Sequence, residues 1–119
     1  MRRFIQSCGF AAAGIRLALR TQRHMRIHVT AALIVTATGM ILGIRAMEWA
    51  LLVLVMGVVI CAELLNTAIE NVVDLASPDI HPLAKAAKDT ASGAVLVAVI
   101  AAIIIGFIIF IPHLWNIVL

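Results

Sequence analysis

Charge is scarce in this chain. Asp, Glu, Lys and Arg make up only 13% of its 119 residues, whereas apolar residues make up 64%. A soluble domain of this length needs far more polar surface, so the composition excludes one and indicates an integral membrane protein. Cysteine is nearly absent. Cys8 and Cys61 lie far apart, fit neither a metal-ligand nor a redox spacing, and read as free thiols that fill space. A cleavable signal is also missing, because "MRRFIQSCGFAAAGIRLALR" carries basic residues on both sides of a short apolar segment.

What is present divides into four helical stretches. Residues 4–20 place Arg16, Arg20 and Arg23 on one helical face, with Phe4, Ile5, Cys8, Ala12 and Ile15 elsewhere. Such a segment suits the surface of an anionic membrane, and its basic charge is addressed to lipid rather than to nucleic acid. Residues 27–44 are apolar apart from His28 and a few threonines and form a first span. A turn around "GIRAMEW" leads into a second, residues 49–75, which must take Glu63 into the membrane to reach the ~20 residues a bilayer requires. "SPDIHP", with two prolines, breaks the chain before a third span over residues 83–111, uncharged after Asp89. The expectation is an all-α membrane protein with an N-terminal amphipathic surface helix and three transmembrane helices, as one domain over residues 1–119.

The distribution of positive charge orients these spans. Arg2, Arg3, Arg16, Arg20, Arg23 and Arg26 precede the first span and Lys85 and Lys88 follow the second, while the opposite side has only Arg45. The positive-inside rule then puts the N-terminus and the loop at 75–90 in the cytoplasm and the C-terminus outside the cytoplasmic membrane. Trp49 and Trp115 fall at the outer interface, where aromatic anchors belong.

The few acidic residues are not scattered. In "ELLNTAIENVVD", residues 63–74, Glu63, Asn66, Glu70 and Asp74 fall within roughly 80° of one helix face. A carboxylate near the bilayer centre costs ~2.5–3.5 kcal/mol on insertion scales, so it must face protein or water and is a functional candidate by default. Lys85, Lys88, Asp89 and Ser92 share one face at the start of the third span, in the same compartment. Carboxylates close together bind a divalent cation or share a proton, and neighbouring lysines attract phosphate. Metal with phosphate points to a nucleotide or a phosphoryl group. With no Walker A loop and no kinase glycine loop in the chain, phosphoryl transfer here needs another fold.

Plainer readings stand beside these. Asn66 or Asn71 alone could simply tie helices together, although a four-residue stripe rich in carboxylates is costly glue. His24 and His28 in "HMRIH" have a ligand-like spacing without a third ligand and read as interfacial; His113 reads as an outer-face residue. Gly39 and Gly43 in "GMILG", and the series Ala94, Ala98, Ala102, Gly106, read as close-packing faces. A small proton-coupled exporter using Glu63, or a purely structural membrane subunit, are the readings from other classes.

"ELLNTAIENVVD" followed by "HPLAKAAKDTASGAVLVA" resembles the small prokaryotic diacylglycerol kinase and undecaprenol kinase family, and "GIRLALRTQRHMRIH" before the first span extends the resemblance over nearly the whole chain. "SPDIHPLAK" is more similar to the undecaprenol kinase branch. The resemblance implies a homotrimeric helical bundle with active sites shared between protomers, transferring the γ-phosphate of ATP, with Mg2+, to a membrane lipid alcohol. The expected acceptor is undecaprenol, with diacylglycerol as the alternative.

By position, the resemblance makes Glu63 the general base on the lipid hydroxyl, oriented by Asn66, and Glu70 a magnesium ligand. It puts Lys88 and Asp89 at the nucleotide with Asp79, His81 and Arg3, has Asp74 support that site, and sets Arg16 and Ser92 beside Glu63 at the lipid. One position departs from the pattern: the second metal-liganding glutamate falls at Gln22. An amide can offer magnesium a carbonyl oxygen but no charge.

Overall fold

The computed structural model describes residues 1–119 and is helical throughout: α1 spans Arg2–Thr21, α2 Arg23–Leu42, α3 Ala46–Ala76 and α4 Pro82–Val118. The three later helices are long and apolar enough to cross a membrane. No strand occurs, as expected where every backbone polar group must be satisfied within its own segment. Side-chain hydroxyls follow the same logic. Thr36 and Thr38 donate to the carbonyls four residues back, Ala32 and Ile34, at 2.7 and 2.8 Å.

Each helix end has a local cause. Gln22, in extended conformation (φ −110°, ψ 114°), interrupts what would otherwise be one helix from residue 2 to residue 42. Arg26 supports the break by donating from Nη1 to the carbonyls of Leu19 and Arg20 at 3.0 and 3.1 Å, so a cation sits on the C-terminus of α1. Gly43 ends α2 in the left-handed region (φ 63°), where a side chain would be strained. His81 opens α4: its Nδ1 accepts the backbone N–H of Leu83 at 3.1 Å, and Pro82 occupies the first turn, where its missing N–H costs nothing.

Hydropathy and helix boundaries do not coincide. The second helix starts at Arg23 rather than 27, because "RHMR" is polar yet helical, and it stops at Leu42 rather than 44. The last helix runs through Pro112 to Val118 instead of ending near residue 111. Pro112 forfeits only its own N–H bond, a loss that membrane helices accommodate. At 37 residues α4 is ~55 Å long, far beyond the ~30 Å hydrocarbon layer, so its polar N-terminal turns extend past the membrane core.

The main packing is α4 along α3, antiparallel through the short Ser77–His81 connection, with α2 against α3 and α1 touching α2 and α3. The apolar core is small, with Ile44, Leu52 and Ile109 at its centre and Val35, Trp49, Met56 and Phe110 packed around it. Gly39 makes room for Trp49: a Cβ at residue 39 would lie 2.9 Å from the indole, so this half of the small-residue expectation is met by an aromatic ring and not by a helix backbone. Gly43 and Gly106 have no neighbour that a Cβ would meet.

Only 13 of 119 residues are buried, and four of these, Glu48, Glu63, Asn66 and Thr67, are polar or charged. A single chain therefore leaves most of its apolar surface for lipid or other chains to cover, while hiding carboxylates in its interior. The two buried glutamates lie on the same helix.

Candidate active site

The stripe on α3 forms a gradient of burial. Glu63 is 1% exposed and Asn66 7%; Glu70 is half-buried and Asp74 is exposed. Two of the buried oxygens, Glu63 Oε1 and Asn66 Oδ1, have no hydrogen-bond partner. Orphaned acceptors cost ~1–3 kcal/mol each and more for a charged group, so this pair calls for a partner from outside the chain, whether water, ion, ligand or another protomer. Thr67 cannot relieve Glu63, because its hydroxyl is already given to the Glu63 carbonyl at 2.9 Å. What does approach the carboxylate is His28 on α2, with Nε2 3.5 Å from Oε2.

Toward the other end of the stripe the loop and two helix termini form a polar pocket of about 320 Å³, walled by Asp74, Asp79, His81, Lys85, Lys88 and Asp89. Lys88 Nζ donates to Asp74 Oδ1, linking α4 to α3, and Lys85 Nζ donates to Asp89 Oδ2, each at 2.5 Å. The pocket thus holds cations already partnered by carboxylates that an incoming phosphate could displace. Glu63 lies ~16 Å along the axis from Asp74 and Glu70 between them, so pocket and buried carboxylate are two ends of one track.

From His28, the neighbour of Glu63, a separate apolar groove of about 530 Å³ runs between α2 and α4, floored by α3, with Val35, Met56, Val59, Ala102 and Phe107 also on its walls. Gly106 leaves it open, since nothing lies where its Cβ would be. The expected packing face on α4 is, in part, the wall of this groove.

The structure gathers Asp74, Asp79, His81, Lys88 and Asp89 around one pocket and sets Glu63 and Asn66 together below it. It does not gather the rest. Arg3 and Arg16 are exposed on α1, and Arg3 stands ~22 Å along that helix from Ala18, its only buried residue. Ser92 is exposed on α4 and does not wall the polar pocket. Gln22 is half-buried at the α1–α2 break. No three His, Cys, Asp or Glu side chains converge on a metal-sized point within one chain.

Two features escaped the sequence reading. His28, expected to be interfacial, faces Glu63. His113, expected to be an outer-face residue, pairs with Glu48 across α3 and α4, its Nε2 lying 3.0 and 3.3 Å from the two carboxylate oxygens. Both are contacts between residues far apart in the chain. The "HMRIH" spacing drew attention to His28, but no local signal pairs it with residue 63.

Comparison with known proteins identifies the family. The family model described as prokaryotic diacylglycerol kinase matches residues 9–110. The undecaprenol kinase of Bacillus subtilis is 44% identical over 114 residues, covering 96% of this chain and 93% of that protein. The diacylglycerol kinase of Synechocystis sp. is 44% identical over 108 residues, 90% of this chain and 62% of that one. The diacylglycerol kinase of Escherichia coli is 35% identical over 102 residues, 86% of this chain and 84% of that one. A helical membrane chain with a buried carboxylate, a lysine-lined pocket and this extent of identity to lipid kinases belongs to the prokaryotic diacylglycerol kinase family.

Proposed function

We propose that the protein phosphorylates undecaprenol at the cytoplasmic face of the membrane, using MgATP. The observation that carries this reading is the buried, unpartnered Oε1 of Glu63, on the same helix face as a lysine-lined pocket ~16 Å away along the axis. Glu63 removes the proton from the lipid hydroxyl; the freed oxygen attacks the γ-phosphorus; the bond to the bridging oxygen breaks and ADP leaves. Asn66, one turn away on the same face, orients the base. Lys88 exchanges Asp74 for a phosphate oxygen, while Asp89, Asp79 and His81 line the nucleotide end.

Magnesium would be held chiefly by the nucleotide's phosphates, since no single chain gathers a full set of protein ligands for it. Glu70 would supply one carboxylate and Gln22, if assembly brings the helix break to it, one amide oxygen, a set for a cation that arrives with its phosphate ligands. Held there, magnesium would supply positive charge against the negative charge developing on the transferred group. The lipid's chain lies along the apolar groove, with Ser92 and Arg16 toward its polar end. Because Arg3 is far from the buried end of its own α1, we place it at the pocket of a neighbouring protomer in a homotrimer. The exposed Phe4, Ile5, Phe10 and Leu17 of α1 lie on the membrane surface.

The closest alternative acceptor is diacylglycerol, the substrate named for several relatives. Purified protein incubated with labelled ATP, magnesium and either lipid decides between them: undecaprenyl phosphate should form at least several-fold faster than phosphatidic acid. Preference for diacylglycerol would reverse the assignment, and no labelled lipid from either would remove the reading. Reporter fusions at the two termini should give opposite signals, cytoplasmic for the N-terminus; the same signal from both would mean an even number of spans.

A further inference from the structure

We propose that His28 is a positioning residue for the reaction, holding Oε2 of Glu63 so that Oε1 is the oxygen presented to the lipid hydroxyl; this rests on the kinase reading above. Four observations converge on it. Glu63 is buried to 1% exposure, and of its two oxygens one is orphaned while the other has a single side-chain neighbour, His28, at 3.5 Å. Of the two polar groups one turn on, Thr67 is committed to a backbone carbonyl and Asn66 leaves Oε1 without a partner. The His28 side chain, 18% exposed, stands between Glu63 and the apolar groove, whose wall it forms in part. And α2, which carries His28, begins at the Gln22 break, with Met25 buried one turn before the imidazole.

A carboxylate anchored at neither oxygen rotates, and its base-competent oxygen points at the acceptor only part of the time. With Nε2 protonated, His28 offers one N–H to Oε2 and restricts that rotation. The 3.5 Å separation is long for a hydrogen bond, as such contacts often are before substrate is bound, and closes when the site fills. The step itself is unchanged: the lipid O–H breaks, the proton goes to Oε1, the lipid oxygen bonds to the γ-phosphorus and ADP takes the electrons of the broken P–O bond. His28 touches neither reacting atom and acts through Glu63.

The test compares His28→Leu, which keeps much of the volume without a donor, with His28→Gln, which keeps a donor. In the assay with labelled ATP and lipid, His28→Leu should lose about 10- to 100-fold in kcat, with KM for ATP and lipid within about threefold of wild type. His28→Gln should recover at least fivefold over His28→Leu. Each variant is also checked for melting temperature and oligomeric state. A Leu variant that assembles and turns over as fast as the Gln variant would overturn the proposal, as would a loss carried by KM.

A second measurement does not depend on catalysis. Labelling of Glu63 by a hydrophobic carbodiimide, followed by mass spectrometry, should be several-fold faster in His28→Leu than in wild type, because Oε2 has lost its partner. Equal labelling rates would refute the pairing even in a chain with no kinase activity, whereas altered labelling in a chain that phosphorylates no lipid would keep the pairing and remove only the kinase reading.

Discussion

Helix α3 carries two buried glutamates, Glu48 near its start and Glu63 past its middle, and they are treated in opposite ways. Glu48 is saturated. Its Oε1 accepts the backbone N–H of Arg45 at 3.0 Å and the Arg45 Nε at 3.2 Å, which caps the helix, and both of its oxygens face His113. Glu63 has one neighbour at 3.5 Å and one empty oxygen. The same side chain on the same helix is in one place a fastener between α3 and α4, and in the other a buried carboxylate with an oxygen to spare, which we propose is the reactive base. Burial alone does not distinguish the two; completeness of partnering does. A carboxylate whose lone pairs are all spent inside the chain cannot accept a proton from a substrate without breaking the fold.

The largest effect should come from breaking that contrast at its reactive end. Glu63→Gln keeps the shape and removes proton acceptance, so lipid phosphorylation should fall ~10²–10⁴-fold. The variant should insert and assemble as well as wild type, since no internal ion pair of full strength is lost. Phosphorylation within a few-fold of wild type, measured with labelled ATP, would take Glu63 out of the base role and with it the contrast.

Glu70 comes next. If it anchors the metal, Glu70→Gln should raise the magnesium concentration for half-maximal activity by about tenfold, since one of few charged oxygens is removed. An unchanged titration at fixed ATP would move the metal elsewhere. A smaller shift in the other direction is expected at the helix break. Gln22→Glu adds a carboxylate and should lower the half-maximal magnesium concentration by about two- to fivefold. No change there would place residue 22 outside the metal shell.

The smallest effect on turnover should be at the saturated glutamate. Glu48→Ala leaves His113 and Arg45 without their acceptor and frees the outer ends of α3 and α4. The apparent Tm of the assembled protein should fall by several degrees while kcat stays within about twofold. A loss of activity as large as that of Glu63→Gln, in protein that still assembles, would show that completeness of partnering is the wrong criterion.

Much of the architecture was legible in the sequence. Long apolar runs broken by "GIRAMEW" and "SPDIHP" are sufficient for three spans, because in lipid a helix is the one way a short segment can satisfy its own backbone. The stripe Glu63, Asn66, Glu70, Asp74 follows from helical periodicity and needs no partner element to be recognised. The grouping of Lys88 with Asp74, and of His81 with both, follows almost as directly, since a five-residue loop returns α4 beside the end of α3.

What hydropathy could not supply was set by local backbone chemistry or by distant contacts. Helix ends at Arg23, Leu42 and Val118 obey caps and hydrogen bonding, and those are indifferent to where apolar character begins or stops. The partners of His28 and His113 were hidden for a different reason. A histidine's meaning depends on what stands opposite it, and 35 residues separate positions 28 and 63, 65 separate 48 and 113. Sequence by itself determined that carboxylates enter the membrane and on which face of which helix they lie. Only tertiary structure decided which of them is satisfied and which is left with an oxygen to spare, because satisfaction is a property of the space between helices, and no single helix contains it.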